Sequence, residues 1–478
     1  MPTYTADPGL LRALAAATGE AADGAMATAG NAVLLSGDTA VASATGPVAA
    51  WGQAWAQSLS ERADLLDHPY PVAATVTDAA HLTARADAVD HALTTPLAVG
   101  WEAFDAAVSA AVSAWDWLAA HQTPTVAAGF LATLDQATAS AVGRRRPEVA
   151  EVPGAPLETV FAANRRRIEL AIDEIDRRIA GADPWAALGL AADRDTLTGM
   201  LHRSFVVFDW AGHGRIAEWV GPLDAEHIAV LLPGSGTDKD DVDRLAGDAA
   251  RLLRLDGDGD LAMVTGLVYD APDLPVAILP VAAAEGIAGL AGLLGLLPVG
   301  DRHLTLIGHS YGALLLGTAL AAGLAADLPA RHDIVLIGAL GTGSRQAGEL
   351  GVDPSRLWVG ETTDDLVVDG RRVADLVGAL EGPLSAFGLL STVLDDTFGS
   401  IPTEPGFGAT HFDAGAGGHS GYLAADMVSG HDGRFHRAFE LASVSAAAII
   451  AIATGRRFAI GRARKRTAND EDNGAAGG

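Results

Sequence analysis

The stretch HLTLIGHSYGALLLGTAL, from His303 to Leu320, admits few conformations. Leu304-Thr305-Leu306-Ile307 is an apolar run of β type, and Ala313 to Leu320 is rich in helix formers. Between them, Gly308-His309-Ser310-Tyr311-Gly312 reads G-x-S-x-G. A serine held on a sharp strand-to-helix turn projects its Oγ above the sheet. Residues two places to either side then meet neighbouring backbone, and only small ones fit. In a chain with 56 glycines those five letters recur by chance. The flanking strand and helix patterns are what make Ser310 a candidate nucleophile.

The wider pattern agrees with such a turn. From about residue 201, apolar runs at Ile228 to Leu232, Met263 to Val268, Leu304 to Ile307, Ile334 to Ile337 and Leu357 to Val359 alternate with helical segments. Those helices are expected at Asp241 to Leu255, Val281 to Leu297, Gly312 to Ala326 and Ser344 to Leu350. Short buried strands alternating with helices imply a mostly parallel sheet covered on both faces, an α/β fold. Residues 1–200 read as an all-α N-terminal domain. Trp101, Phe104, Val108, Val112 and Trp115 share one helical face, as do Ile168, Ile172, Ile175 and Ile179. The domains expected are 1–200 (helical), 201–455 (α/β) and 456–478, a disordered tail. A less regular stretch near Asp369 to Gly408 reads as a candidate lid.

The net charge of −28 argues against a nucleic-acid partner, which needs a basic face. The absence of cysteine removes disulfides and thiolate chemistry. Leu441 to Thr454 is too short to span a bilayer, and Val281 to Leu297 carries Glu285 and several glycines, so no integral membrane segment is expected. The N-terminal region lacks a basic segment followed by an apolar core, so a cytoplasmic location is the expectation.

A serine hydroxyl becomes nucleophilic when an imidazole takes its proton, and a carboxylate must orient that imidazole. Around such an elbow the partners follow in the order serine, acid, histidine. The strand Leu357-Trp358-Val359 is followed by Asp364 and Asp365; Asp365 is favoured, with Asp364 as the alternative. Among the later histidines, His411 falls in a strand-like segment, and His431 and His436 fall at or beyond the next helix. His419, in the Gly-rich loop Gly415 to Gly421, is the candidate base. An oxyanion hole needs two backbone N–H groups: one from Tyr311, the other from the loop after Leu232. Ser235 is favoured there, with Gly234 and Gly236 as alternatives. Asp256-Gly257-Asp258-Gly259-Asp260 opens like a calcium loop but places Leu261 and Leu267 where that loop needs Gly and Glu, so it reads as a solvated turn. Asp209 to Arg215 is likewise loop-like and poor in carboxylates.

Several further motifs align in order: Phe208-Asp209 with Gly212-His213-Gly214-Arg215, Leu232 to Asp238, Tyr269-Asp270-Ala271-Pro272, the elbow, and His419-Ser420 with Tyr422. With these, about residues 205 to 425 resemble an actinobacterial alpha/beta-hydrolase family long catalogued as a domain of unknown function. The resemblance implies an alpha/beta-hydrolase fold with Ser310 and His419 at catalytic positions, and no settled substrate. The Asp364-Asp365 pair departs from the Asp-Pro turn often found there. Members often carry a helical N-terminal region, some resembling type VII secretion substrates, but no clear Trp-x-Gly hairpin is present here. The expected function is a serine esterase or lipase-like hydrolase on a small-molecule ester or acyl substrate, needing no metal or cofactor. An acyltransferase or thioesterase on the same residues, or a non-catalytic interaction protein with a vestigial hydrolase fold, are the alternatives. The sequence names no protein partner for the helical region.

Overall fold

The computed structural model describes residues 101–256, 258–272, 280–381, 386–431 and 436–456. The chain divides into two compact units, Met1–Arg166 and Arg167–Gly478. In the first, α1 (Trp101–His121), α2 (Pro124–Ala132) and α3 (Gln136–Arg145) enclose a core of Val108, Val112, Trp115, Leu131, Val142 and Val160. These include the inward positions of the Trp101 to Trp115 stripe. Asp135 begins α3 by accepting the Thr138 amide, which satisfies one of the amides that a helix start leaves unpaired.

Helix α4 (Leu157–Ile179) carries the isoleucine stripe, and α5 (Pro184–Met200) follows it. Within the second unit, Ile168 and Ile175 of α4 and Leu197 and Met200 of α5 pack with Phe205, Phe208, Ile216 and Val242. The last part of the helix-rich stretch therefore joins the core of the sheet-containing unit. Stripe residues at i, i+4, i+7 and i+11 meet one surface, and that surface is a sheet edge.

The sheet has eight strands: β1 (Phe205–Asp209), β2 (Arg215–Val220), β3 (His227–Leu232), β4 (Leu261–Leu267), β5 (His303–His309), β6 (His332–Ile337), β7 (Leu357–Gly360) and β8 (Thr410–His411). Their order is β1-β2-β4-β3-β5-β6-β7-β8. Only the β1–β2 and β2–β4 pairs run antiparallel. From β4 to β8 the sheet is parallel. The fold is that of an alpha/beta hydrolase. Helix α6 (Val242–Asp256) follows β3, α7 (Val281–Leu296) follows β4, and α8 (Tyr311–Ala321) follows β5. Next come α9 (Leu366–Glu381) and α10 (Ala386–Phe398), the hairpin β9 (Ala425–His431) and β10 (His436–Ala442), and α11 (Val444–Ala453).

One sheet face, formed by Ala229, Leu231, Ile307, Val335 and Ile337, packs on Ala249 and Leu252 of α6 and on Ala446, Ile449 and Ile450 of α11. Helix α7 packs on α8. A Cβ at Gly289 would lie 2.0 Å from Val268 O, and one at Gly286 would lie 2.8 Å from Leu315 and Tyr269. Close packing thus accounts for Gly286 and Gly289 and for the buried Ala283, Leu290, Leu293 and Leu296 of α7. Among the described residues no helix is long and apolar enough to cross a membrane.

The structure differs from the sequence expectation in four places. Ser344 to Leu350 forms only a short 3-10 turn, Ala347–Leu350, because Ser344 is bridged to Gly399 instead of entering a helix. The turn Asp209 to Arg215 joins two strands that short, irregular patterning concealed. The stretch read as an irregular lid is largely helical, as α9 and α10. The buried Arg371 ties them down: it donates to Leu340 O (2.9 Å), Gly399 O (2.9 Å), Asp395 (2.6 Å) and Asp375 (3.1 Å). Finally, His431 and His436 lie on the β9–β10 hairpin, which precedes the last helix.

Near the amino ends of the central strands, away from the elbow, the fully buried Asp333 accepts from Trp358 Nε1 (2.9 Å) and lies 2.9 Å from His303 Nε2. His303 Nδ1 lies 3.0 Å from Ala453 O, which links β5, β6 and β7 to the end of α11. Replacing Asp333 with Ala leaves the indole N–H and the imidazole without their acceptor. We expect a loss of about 3 kcal/mol in denaturant unfolding. A change under about 1 kcal/mol would mean that this network does not hold the sheet.

Candidate active site

In the parallel part of the sheet, β4 lies on one side of β3 and β5 on the other. The connections leaving the carboxyl ends of β3 and β5 therefore diverge, and a crevice opens between them. Ser310 stands in that crevice, at the junction of β5 and α8, with φ 52° and ψ −119°. Among the described residues it is the one non-glycine with positive φ. Such backbone costs about 1–3 kcal/mol and persists only where its surroundings enforce it. The surroundings here are other backbones. A Cβ at Gly312 would lie 2.2 Å from Leu232 O, and one at Gly308 would lie 2.7 Å from Ala313 Cα. The Ser310 amide donates to Ile337 O (3.0 Å), which fixes the turn to β6.

His419 Nε2 lies 2.9 Å from Ser310 Oγ. On its other side, Nδ1 lies 3.0 Å from both Asp365 oxygens. Asp365 is fully buried at the start of α9. Its Oδ1 accepts the amides of Val367 and Val368 (3.1 Å each), and its Oδ2 accepts the Tyr422 hydroxyl (2.7 Å). Burial alone would push this carboxyl up; hydrogen bonds from His419, Tyr422 and Val368 more than reverse that and hold it down at about 2. Burial and the neighbouring carboxylate push the Tyr422 phenol up, so it remains a donor.

Asp364, the alternative acid, has different partners. It is exposed, and its Oδ1 accepts the amides of Gly417 and Gly418 (2.9 Å each). His411 pairs in β8 with Val359, on the far side of β7 from the elbow. In the loop after β3, the Gly236 amide donates to Pro272 O (3.0 Å). Ser235 and Gly234 line the cleft beside Ser310, and Tyr311 heads α8 there. A Cβ at Gly234 would lie 3.0 Å from Ser310 Cβ, so its backbone is packed on the serine.

The cleft has a volume of about 570 Å³. Ile337, Leu340, Val367, Phe398 and Leu423 give it an apolar wall, while Asp241, Arg244, Asp248 and Arg251 of the α6 segment give a charged one. Those charges pair with one another, Arg244 with Asp241 (2.8 Å) and Arg251 with Asp248 (2.9 Å). Among the described residues no three His, Asp or Glu side chains are grouped to hold a metal. At the end of α6 and in the acidic turn after it, Asp256 and Asp258 both accept from Arg456.

A family model described as alpha/beta hydrolase matches residues 209–375. The uncharacterized protein Rv0963c of Mycobacterium tuberculosis is 34% identical over 185 residues, covering 34% of this chain and 68% of that protein. The chain belongs to the alpha/beta-hydrolase family. A second uncharacterized M. tuberculosis protein, Rv2079, is 28% identical over 258 residues, covering 48% of this chain and 36% of that one. Among solved structures, a Xanthomonas campestris α/β serine hydrolase without a lid matches at 16% identity and a TM-score of 0.27, covering 45% of this chain and 85% of that one. An esterase of Pyrobaculum calidifontis matches at 13% identity and a TM-score of 0.27, covering 58% and 90%.

Several residues of this hydrolase have site partners that sequence reasoning left unassigned. Tyr269 donates to Pro233 O (2.9 Å) and stacks on Tyr311 (6.2 Å between ring centres), so the Tyr269 to Pro272 motif braces the loop after β3. His309 donates through Nε2 to His419 O (2.8 Å). Burial, with His419 close by, pushes its pKa down to about 4, so it stays neutral. Tyr422 bonds Asp365 directly, and Gly338 faces the Asp365–His419 pair where a side chain would crowd it. Tyr422 stood in the sequence as part of a motif with no role attached, and Gly338 had no sequence signal.

Gly338 has φ 55°, and a Cβ there would lie 3.0 Å from Tyr422, 3.2 Å from Asp365 Oδ2 and 3.2 Å from His419 Cε1. We expect Gly338→Ala to slow the reaction of Ser310 with a fluorophosphonate by on the order of 10²-fold. An unchanged rate would show that the pair tolerates crowding. A second expectation concerns pH. Because the folded pKa of Asp365 lies near 2 and the unfolded one near ~3.9, its ionised form favours folding above about pH 4, and that contribution fades as pH falls toward 2. The stability gap between wild type and Asp365→Asn should be flat from about pH 5 to 8 and shrink below about pH 4. A gap already shrinking near pH 6 would assign the linkage to another group.

Proposed function

We infer that the protein is a serine hydrolase acting on carboxylic esters with a compact, largely apolar acyl group. The observation that carries this reading is the unbroken hydrogen-bonded path from Ser310 Oγ through His419 to Asp365, at 2.9 and 3.0 Å. Ser310 Oγ attacks the acyl carbonyl while its proton passes to His419 Nε2. The imidazolium so formed lies against the ionised Asp365, which also orients the ring through Nδ1. Collapse of the tetrahedral intermediate breaks the ester C–O bond, and His419 returns the proton to the leaving alcohol oxygen. Water then attacks the acyl-enzyme by the same route, releasing the acid and restoring Ser310.

The carbonyl oxygen gains negative charge at each attack, and fixed backbone amides are the economical way to receive it. Tyr311 and Ser235 take this role, with Gly234 as the alternative to Ser235. Gly236 is the poorer donor, since its amide is committed to Pro272 O. The apolar wall of Ile337, Leu340, Val367 and Phe398 in a cleft of about 570 Å³ favours a short to medium acyl chain.

A fluorophosphonate should label the wild-type protein and spare Ser310→Ala. His419→Ala should lose labelling and turnover, and Asp365→Asn should lower kcat by roughly 10⁴-fold through the wrong imidazole tautomer. Labelling that persists in Ser310→Ala, or that never occurs in the native protein, would refute the reading. Hydrolysis rates across p-nitrophenyl esters of increasing chain length should peak at short to medium chains; a steady rise to long chains would contradict the substrate class.

A further inference from the structure

The turn that carries Asp365 and the loop that carries His419 are joined residue by residue. Thr362 donates through Oγ1 to Gly418 O (3.1 Å), and its amide donates to the Tyr422 hydroxyl (3.1 Å). The Thr363 amide donates to Gly415 O (2.8 Å). Asp364 Oδ1 accepts the amides of both Gly417 and Gly418 (2.9 Å each). Asp365 then meets His419 and Tyr422. Those two glycine amides precede His419 directly, and their bonds hold the Asp364 carboxyl below the usual range although it is exposed.

The loop has little stiffness of its own. Gly415, Gly417 and Gly418 have φ of 62°, 153° and 62°, and a Cβ at Gly421 would lie 2.1 Å from Gly417 O. A chain folded back this tightly needs glycine, and glycine leaves the backbone free to wander unless something outside holds it. An imidazole acting on a serine must be held within about 0.5 Å of its productive place. We propose that Asp364 is the positioning residue of the site: its carboxylate, bonded to the two amides before His419, sets where the imidazole stands relative to Ser310. The two adjacent aspartates divide the work, Asp365 orienting the ring and Asp364 fixing the backbone that bears it.

This inference rests on the triad reading above, and the test separates the two. Asp364→Ala should lower kcat for a p-nitrophenyl ester, and slow fluorophosphonate labelling, by on the order of 10- to 100-fold with KM nearly unchanged. Asp364→Asn keeps an oxygen that accepts both amides, and it should retain activity within about threefold. The low-field proton resonance of the His419–Asp365 hydrogen bond should persist in the Asn variant and broaden or vanish in the Ala variant. Should the Ala variant fail to fold, Asp364→Ser serves, because its hydroxyl falls short of the glycine amides and should reproduce the loss in kcat. Full activity in Asp364→Ala or Asp364→Ser, or an Asn variant as impaired as either, would overturn the proposal while leaving Ser310-dependent labelling intact. Labelling that ignores Ser310 would instead remove the triad reading and this inference with it.

Discussion

The backbone of Ser310 is the constraint around which the second unit is arranged. A φ of 52° in a residue with a side chain is unfavourable by itself. It is held because the ends of β3, β5 and β6 converge there: Gly312 lies against Leu232 O, Gly234 against the serine itself, and the Ser310 amide is taken by Ile337. The strand order that puts β4 and β5 on opposite sides of β3 opens the crevice into which the hydroxyl projects. Strain at one residue is thus compensated by sheet pairing across several strands.

Around that fixed point, the remaining groups are held by polar contacts between two short irregular segments. The turn after β7 and the loop after β8 bond to each other at every residue from Thr362 to Asp365. Neither segment has regular secondary structure to keep its shape, so mutual hydrogen bonding replaces it. His309 extends the same logic from the elbow side, donating to the His419 carbonyl while burial keeps it neutral. A charged His309 would repel any imidazolium at His419; a neutral one braces the loop without that penalty.

Legibility in the sequence followed the continuity of the apolar pattern. The five central strands and the helices α6, α7 and α8 stood out because unbroken apolar runs alternating with helical segments leave few alternatives. Strands β1 and β2 did not, since Asp209, Arg215 and Glu218 interrupt their apolar runs around a Gly-rich turn. The β9–β10 hairpin was hidden because Asp426, Ser429, Gly430, Arg437 and Glu440 break its apolar pattern, and two histidines were placed with the helix that follows it. The helix α7 was expected from its apolar run, but apolar composition does not reveal which surface a helix meets, and this one meets α8 and Val268. At the site, Asp364 and Asp365 were distinguished in the sequence only by their following residues. Their separation into one buried and one exposed carboxylate arises from the first turn of α9, which brings the Val367 and Val368 amides to Asp365.

By itself, then, the sequence determined the alternation of strands and helices, the sharp turn at Ser310 and the order in which candidate partners appear. These are local properties, set by side-chain volume and backbone freedom over a few residues. Only the tertiary structure decided which carboxylate faces His419, that Tyr422, His309 and Gly338 border the same pair, and which loop amides are already committed. Such relations join residues about 30 to 110 positions apart. They depend on strand order and on hydrogen bonds between loops, and no periodicity in the chain encodes either.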